Sequence, residues 1–345
     1  AKEEIRNPKI YLSETALKKS LKDTTDARNF LEQVGAVPLQ NVTEMKEIIQ
    51  IADKGDCLTP YRLERVEKIL VATKRLKDYL VRGKAYQNAL AYYEENLQDL
   101  ANLREEIAGQ IRNGEVDDYA SKELAKIREQ IGLCKEQMKQ KAEQIMRTHK
   151  ECMADTYYTL RNDRVCIPVK KEHKLKITGS VIDKSSTGST LFIEPAGVAK
   201  YYEQIQILKL SEENEVYRIL YTLTAMVAES IPILEGNIAM MEKLDFIFSK
   251  GKLSLEMEAT EPSINTEKKI ILTQARHPLM DKNAAVPLQF EIGDRVQGIV
   301  ITGPNTGGKT VAIKTVMLNC IMAQCGLHVT CKEADICMNS AYFCD

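Results

Sequence analysis

Residues 301–310 read Ile301-Thr302-Gly303-Pro304-Asn305-Thr306-Gly307-Gly308-Lys309-Thr310, and the last eight satisfy the G-x-x-x-x-G-K-[ST] pattern of a phosphate-binding loop. Gly303, Gly307 and Gly308 let the backbone bend so that successive N–H groups converge on phosphate oxygens, beside the positive end of the following helix. Lys309 suits the β- and γ-phosphates and Thr310 suits Mg²⁺. Pro304, Asn305, Thr306 and Val311 complete the expected nucleotide-binding stretch. The flanks predict the required context: Gly298–Ile301 reads as a buried strand, and Thr310–Cys325 as an amphipathic helix closed by Gly326. ATP or ADP with Mg²⁺ is therefore the expected ligand. Hydrolysis needs a second-strand carboxylate as well, and no apolar strand ending in Asp-Glu follows Thr310. These 345 residues are expected to bind nucleotide without turning it over.

Composition leaves this reading in place. The 44% hydrophobic and 28% charged residues suit a globular chain of two or three domains. With 48 basic against 49 acidic residues, any nucleic-acid surface must be local. Nine cysteines without a C-x-x-C pair, and the lack of a basic apolar leader, favour a reducing cytoplasm and thiols acting as small core residues. Cys325, Cys331 and Cys337 recur every six residues, but without nearby histidines they read as structural. No apolar run approaches a membrane span, so no membrane partner is expected.

Along the chain, residues 13–82 read as short helices joined by polar turns, with Thr59 as N-cap and Pro60 opening one of them. Leu90, Tyr93, Leu97, Leu100, Leu103, Ile107 and Ile111 then recur at three or four, which predicts one long helix interrupted at Asn113-Gly114. Leu124, Ile127, Ile131, Cys134 and Met138 keep heptad spacing in a second helix. Gly197–Ser230 predicts a third, and Pro232 opens a fourth. Between the helices, 159–195 is β-like: Val165, Ile167 and Val169 alternate, as do Leu175 and Ile177, and a Ser-rich turn precedes Thr190–Ile193. From Arg161 to Lys184 seven basic residues face three acidic ones. Lys170, Lys171, Lys174, Lys176 and Lys184 suit contacts to a phosphate backbone, which position a nucleic acid without reading its sequence.

Taken together, Thr302–Val311, Ala275-Arg276-His277-Pro278, Arg161-Asn162-Asp163-Arg164, Ile167-Pro168-Val169-Lys170, Thr190-Leu191-Phe192-Ile193-Glu194-Pro195 and Met322–His328 resemble the MutS family, in its second bacterial branch. The resemblance implies a mixed fold: an elongated helical core and lever, a small β clamp-like insert, and the start of an α/β P-loop ATPase of ABC type. The corresponding boundaries are 1–84 for the core, 85–255 for the lever with its insert at 159–195, and 256–345 for the beginning of the ATPase domain. It further implies a homodimer in the full-length protein, with a Walker B strand, signature loop and Smr nuclease domain beyond this sequence. Implied partners are branched or double-stranded DNA, in restraint of recombination, or alternatively collided ribosomes and their rRNA, in bacterial cytoplasm. Val286, Pro287 and Leu288 fall where the family lays a segment against adenine, although Leu288 replaces a common Asn. Val181-Ile182-Asp183 departs from the family's Val-His-Asp, and Thr187-Gly188 from its Ser-Gly.

Overall fold

The computed structural model describes residues 8–39, 44–281, 283–293, 295–303 and 308–343. The chain forms two bodies, one of 1–43, 69–100 and 230–345, the other of 44–68 and 101–229.

In the first body, α1 (Glu14–Val34) packs along α7 (Ile231–Glu256). Part of α3 (Pro60–Gly83) and a 3-10 segment, Ala89–Asn96, close the core around Phe30, Tyr79 and Phe248. Those rings meet at 5.0 to 5.9 Å between centroids, within the range of favourable aromatic pairs. Thr59 does accept from Arg62 N at the start of α3, at 3.4 Å. α1 and α3, at 21 and 24 residues, are longer than the short helices expected. A second core in this body lies against a four-stranded sheet of order β7-β10-β8-β9. Its strands are β7 (Ser263–Asn265), β8 (Ile270–Ala275), β9 (Leu288–Ile292) and β10 (Glu333–Cys337). β10 runs parallel to β7 and antiparallel to β8. The helix α8 (Lys309–Gln324) contributes Cys320 and Ala323 to that core.

The second body contains α2 (Met45–Asp53), α4 (Ala101–Gln110), and a helix pair, α5 (Lys122–Thr148) and α6 (Ala196–Glu229). The pair is joined through a sheet of order β3-β4-β6-β5: β3 (Thr159–Arg161), β4 (Arg164–Lys170), β5 (Gly179–Lys184) and β6 (Thr190–Pro195). Because the chain leaves the end of α5 into this sheet and returns from it into α6, the helices are antiparallel and share the sheet at one end. At 1.5 Å per residue they are about 40 and 50 Å long. Ile127, Ile131 and Cys134 of α5, Ile167 and Val169 of β4, Ile193 of β6 and Ile205 of α6 fill one continuous apolar core.

Four expectations fail locally. Leu90–Ile111 is not one helix: Asn88 accepts from Leu90 N at 3.0 Å and starts the 3-10 segment, Leu97 is extended, and α4 begins only at Ala101. Asn113-Gly114 is not a mere break, since both residues take positive φ (53° and 75°) in a hairpin between β1 (Ile111–Arg112) and β2 (Glu115–Val116). Asn-Gly favours that turn because both central positions need φ > 0. Leu175 does not alternate in a strand but lies 97% exposed in a 3-10 turn, Lys171–Lys176. Finally, 298–301 is neither strand nor buried. Val300 is 88% exposed, because no described strand pairs with it and a strand's backbone groups need such a neighbour.

Candidate functional site

α8 starts at Lys309, behind Gly308 in the left-handed region at φ 77°, a conformation that favours glycine. Among the described residues no side chain caps this end, and no acidic residue sits in the first turn. Its leading N–H groups are thus left for an anion, in a region of positive helix potential. Lys309 Nζ donates to Gly303 O at 2.5 Å, which brings the ammonium to the mouth of the loop. Thr310 and Val311 are exposed beside it. Pro304, Asn305, Thr306 and Gly307 lie outside the described residues. The donor set fits a nucleotide polyphosphate with Mg²⁺: a cation, a free helix start and an accessible hydroxyl.

The remainder of the helix is fixed from its far side. Gly326 N donates to Ala323 O and Leu327 N to Met322 O, both at 2.9 Å, the paired bonds of a Schellman motif with Gly326 at φ 74°. The Gly326 carbonyl then accepts from Thr24 Oγ1 of α1 at 2.8 Å and lies 3.4 Å from Lys250 Nζ of α7. Lys250, buried, also donates to Ser20 Oγ at 2.9 Å. Two residues on, His328 places Nδ1 at 2.7 Å from Ser254 Oγ and Nε2 at 2.9 Å from Thr25 Oγ1. Burial holds this imidazole neutral, with a pKa near 4 against the ordinary 6.5. The helix's middle is braced too. Asn319 Nδ2 and Thr330 Oγ1 both donate to Arg276 O, at 3.2 and 2.6 Å, and Thr330 N donates to Asn319 Oδ1 at 2.8 Å. Arg276 of the Ala-Arg-His-Pro quartet is therefore a brace, its carbonyl held by Asn319 and Thr330 and its guanidinium donating to Met257 O at 3.2 Å. The junction of Thr24, Lys250 and His328 escaped the sequence reading. Its mark in the sequence is slight, because Lys250 stands among other charged residues of α7 such as Lys243, Asp245 and Lys252.

Val286 is exposed, and Leu288 opens β9 opposite Ala275. Leu288 lines an apolar cavity of about 380 Å³ with Phe290, Ile301, Ile313 and Val316.

The basic residues divide into two groups. Arg164 is committed to Glu194 at 2.5 Å and Arg161 to Asp183 at 3.5 Å, so both serve the sheet. Lys170, Lys171, Lys174, Lys176 and Lys184 are all exposed. The structure brings the first four together at the end of β4 and the turn after it, while Lys184 ends β5. Glu151 tempers the group: its carbonyl accepts from Lys170 at 3.2 Å, and its carboxylate lies 3.7 Å from Lys176. Ile182, where the family's histidine would stand, is the bulged residue of β5, skipped between the Val181–Ile193 and Asp183–Phe192 pairs. Among the described residues no cluster of His, Cys, Asp and Glu could hold a metal, and no single helix is long and apolar enough to cross a membrane.

A family model for MutS domain V matches residues 299–345. Endonuclease MutS2 of Alkaliphilus oremlandii is 38% identical over 313 residues, which are 89% of this chain and 40% of that protein. Endonuclease MutS2 of Geobacillus sp. is 39% identical over 313 residues, with the same coverage, and that of Clostridium botulinum (strain ATCC 19397 / Type A) is 35% identical over 340 residues, 97% of this chain and 43% of that one. The chain thus spans about two fifths of the length of these relatives. With a loop-and-helix start that falls inside the matched domain, and with similarity running through both bodies, the chain belongs to the MutS family as a homologue of MutS2.

Proposed function

We propose that this chain is the nucleotide-binding and nucleic-acid-clamping part of an ATP-dependent MutS2-type protein. In this reading the full-length protein acts as a homodimer on branched DNA to restrain homologous recombination and does not read mismatches. The observation that carries the proposal is the uncapped start of α8, with the Lys309 ammonium turned onto the Gly303 carbonyl. That ammonium would exchange the carbonyl for the β/γ-phosphate oxygens, while the N–H groups behind Gly308 orient the phosphates and Thr310 holds Mg²⁺. ATP, when bound, supplies the phosphoryl-transfer energy that drives the clamp's cycle. Val286, Pro287 and Leu288 would border the base. The lysine turn supplies backbone affinity, with α5 and α6 as the lever that carries it. ATP cleavage belongs to the full-length dimer, and the endonuclease activity named in the relatives to a further domain.

The nucleotide half is tested by titrating a fluorescent ATP analogue: weak binding is expected, abolished in Lys309→Ala, with no measurable turnover. Equal affinity in the variant would remove the loop from the site. The nucleic-acid half is tested in the full-length protein with Lys170, Lys171, Lys174 and Lys176 changed together to Glu. Affinity for a four-way DNA junction should fall, and the log–log salt slope should shrink by about 0.9 for each phosphate no longer neutralised by a lysine. An unchanged slope would place the binding surface elsewhere. Recovery of rRNA in place of DNA from the cell lysate would assign the clamp to ribosomes.

A further inference from the structure

Among the described residues one face of α6 has no partner, and its pattern is that of a helix-pairing seam. Ile207, Leu210, Tyr217 and Tyr221 are 67, 60, 61 and 54% exposed, and with Asn214 they are spaced 3, 4, 3, 4. At 100° per residue they share a stripe about 80° wide. The opposite side of the helix carries Ile205, Ile219, Leu223 and Val227, which are buried in the second body. The exposed stripe is therefore surplus to the fold of one chain. Tyr217 and Tyr221 already stack on each other, with centroids 6.3 Å apart, giving the stripe a fixed relief.

We propose that this stripe pairs with the same stripe of a second copy of this chain, as a short parallel coiled coil. Three features select that occupant. The spacing places Ile207, Asn214 and Tyr221 at a positions and Leu210 and Tyr217 at d positions, the repeat that knobs-into-holes pairing uses. Asn214 is a polar residue at a central a position. Facing its own copy across a two-fold axis, it meets an amide that can donate to it and accept from it, whereas an unrelated apolar helix would leave it unsatisfied. Glu213 then falls at g and Arg218 at the following e. In a parallel self-pair these are neighbours across the interface, twice by symmetry, whereas an antiparallel pair sets g against g and forfeits the match. Arg218 donates from Nε and Nη2 to Glu215 of its own helix, at 2.7 Å, which leaves its remaining N–H groups for Glu213 of the other copy. The seam is about 22 Å long, shorter than an interface of standard size requires. It acts as a weak contact that aligns two copies and needs neither nucleotide nor nucleic acid. The inference assigns a contact surface to the homodimer of the function proposed above, and rests on neither the nucleotide nor the nucleic-acid part of that reading.

Sedimentation of the 345-residue chain up to about 100 μM should show reversible dimers. Leu210→Glu should raise the dissociation constant at least about tenfold while leaving helix content and melting unchanged, because Leu210 is exposed in the monomer. Glu213→Arg should weaken association about threefold, and adding Arg218→Glu should restore it. Ile207→Cys and Tyr221→Cys should each cross-link to their own copy with a short bis-maleimide beyond the background of the parent chain, as only the parallel arrangement allows at both positions. A chain that stays monomeric and does not cross-link at 207 or 221 overturns the proposal. So does a dimer indifferent to Leu210→Glu. A melting temperature lowered by that variant would show that the stripe packs within one chain. Loss of DNA or RNA binding without a change in association would assign the stripe to nucleic acid.

Discussion

The two bodies solve burial in opposite ways. Among the described residues fourteen polar or charged ones are buried, and only Glu194 and Thr224 of these fall in the body of α5 and α6; the other twelve lie in the body that carries α8. The body of α5 and α6 is held by aliphatic packing, which is non-directional and gives way gradually as atoms are removed. The nucleotide-helix body adds to its two apolar cores a set of buried donors and acceptors with fixed partners, where a small displacement leaves a buried group unpaired at a cost of about 1–3 kcal/mol. Directional bonding suits a part whose position must be set sharply, and aliphatic packing suits a part that has only to stay stiff.

The largest expected effect is at Gly326. A Cβ there would lie 2.2 Å from Ser20 Oγ, on a backbone at φ 74°, so Gly326→Ala should cost about 4 kcal/mol, read from urea unfolding. Ile193→Ala in the core of α5, α6 and their sheet should cost about 3 kcal/mol, with the drop in hydrogen-exchange protection confined to those elements. If protection fell equally around α8, the contrast between the bodies would be broken. Acidification comes next. The unfolded chain protonates His328 below pH 6.5, whereas the folded chain resists until pH 4. Stability should therefore drop between these values by at most about 3 kcal/mol, and His328→Gln should flatten that part of the profile. Burial pushes the Asp23 carboxyl up, which favours the folded state on acidification, so the variant and parent must be compared at each pH. Thr24→Val should cost about 1.5 kcal/mol, because Gly326 O keeps only Lys250 at 3.4 Å. Smallest of all, the four-lysine reversal should move stability by less than about 0.5 kcal/mol, those side chains being exposed.

Much of the frame was legible because local chemistry and tertiary packing agree there. α5, α6, α7 and α8 announce themselves by apolar spacing, Pro232 and Gly326, while β4 and β6 do so by β-branched runs. The failure at 90–111 has a plain cause: spacing of three or four is shared by 3-10 and α turns. Leu90 and Leu97 also pack in one body while Leu103 and Ile107 belong to the other. The hairpin at Asn113-Gly114 is marked in the sequence by its turn residues alone, since a two-residue strand is too short to show alternation. β7, β8 and β10 were hidden by their length and by pairing across some sixty residues. Of the site, the loop was visible as a motif. The junction behind it was not, because Thr24, Lys250 and His328 meet only once three distant segments have folded.

The cysteines carry a further consequence. Cys134, Cys152, Cys166, Cys320, Cys325, Cys331 and Cys337 are buried, while Cys57 is half-buried. Burial raises the Cys166 thiol to about 11 and those of Cys320 and Cys331 to about 12. Since the thiolate is the reactive form, these groups stay silent toward alkylating reagents at neutral pH until the backbone around them opens. Three of the seven buried cysteines fall in the body of α5 and α6 and four in the body of α8. The native chain is therefore fitted with two built-in clocks, and the rate at which each buried set takes up an alkylating label reads the opening equilibrium of its own region, with no substitution.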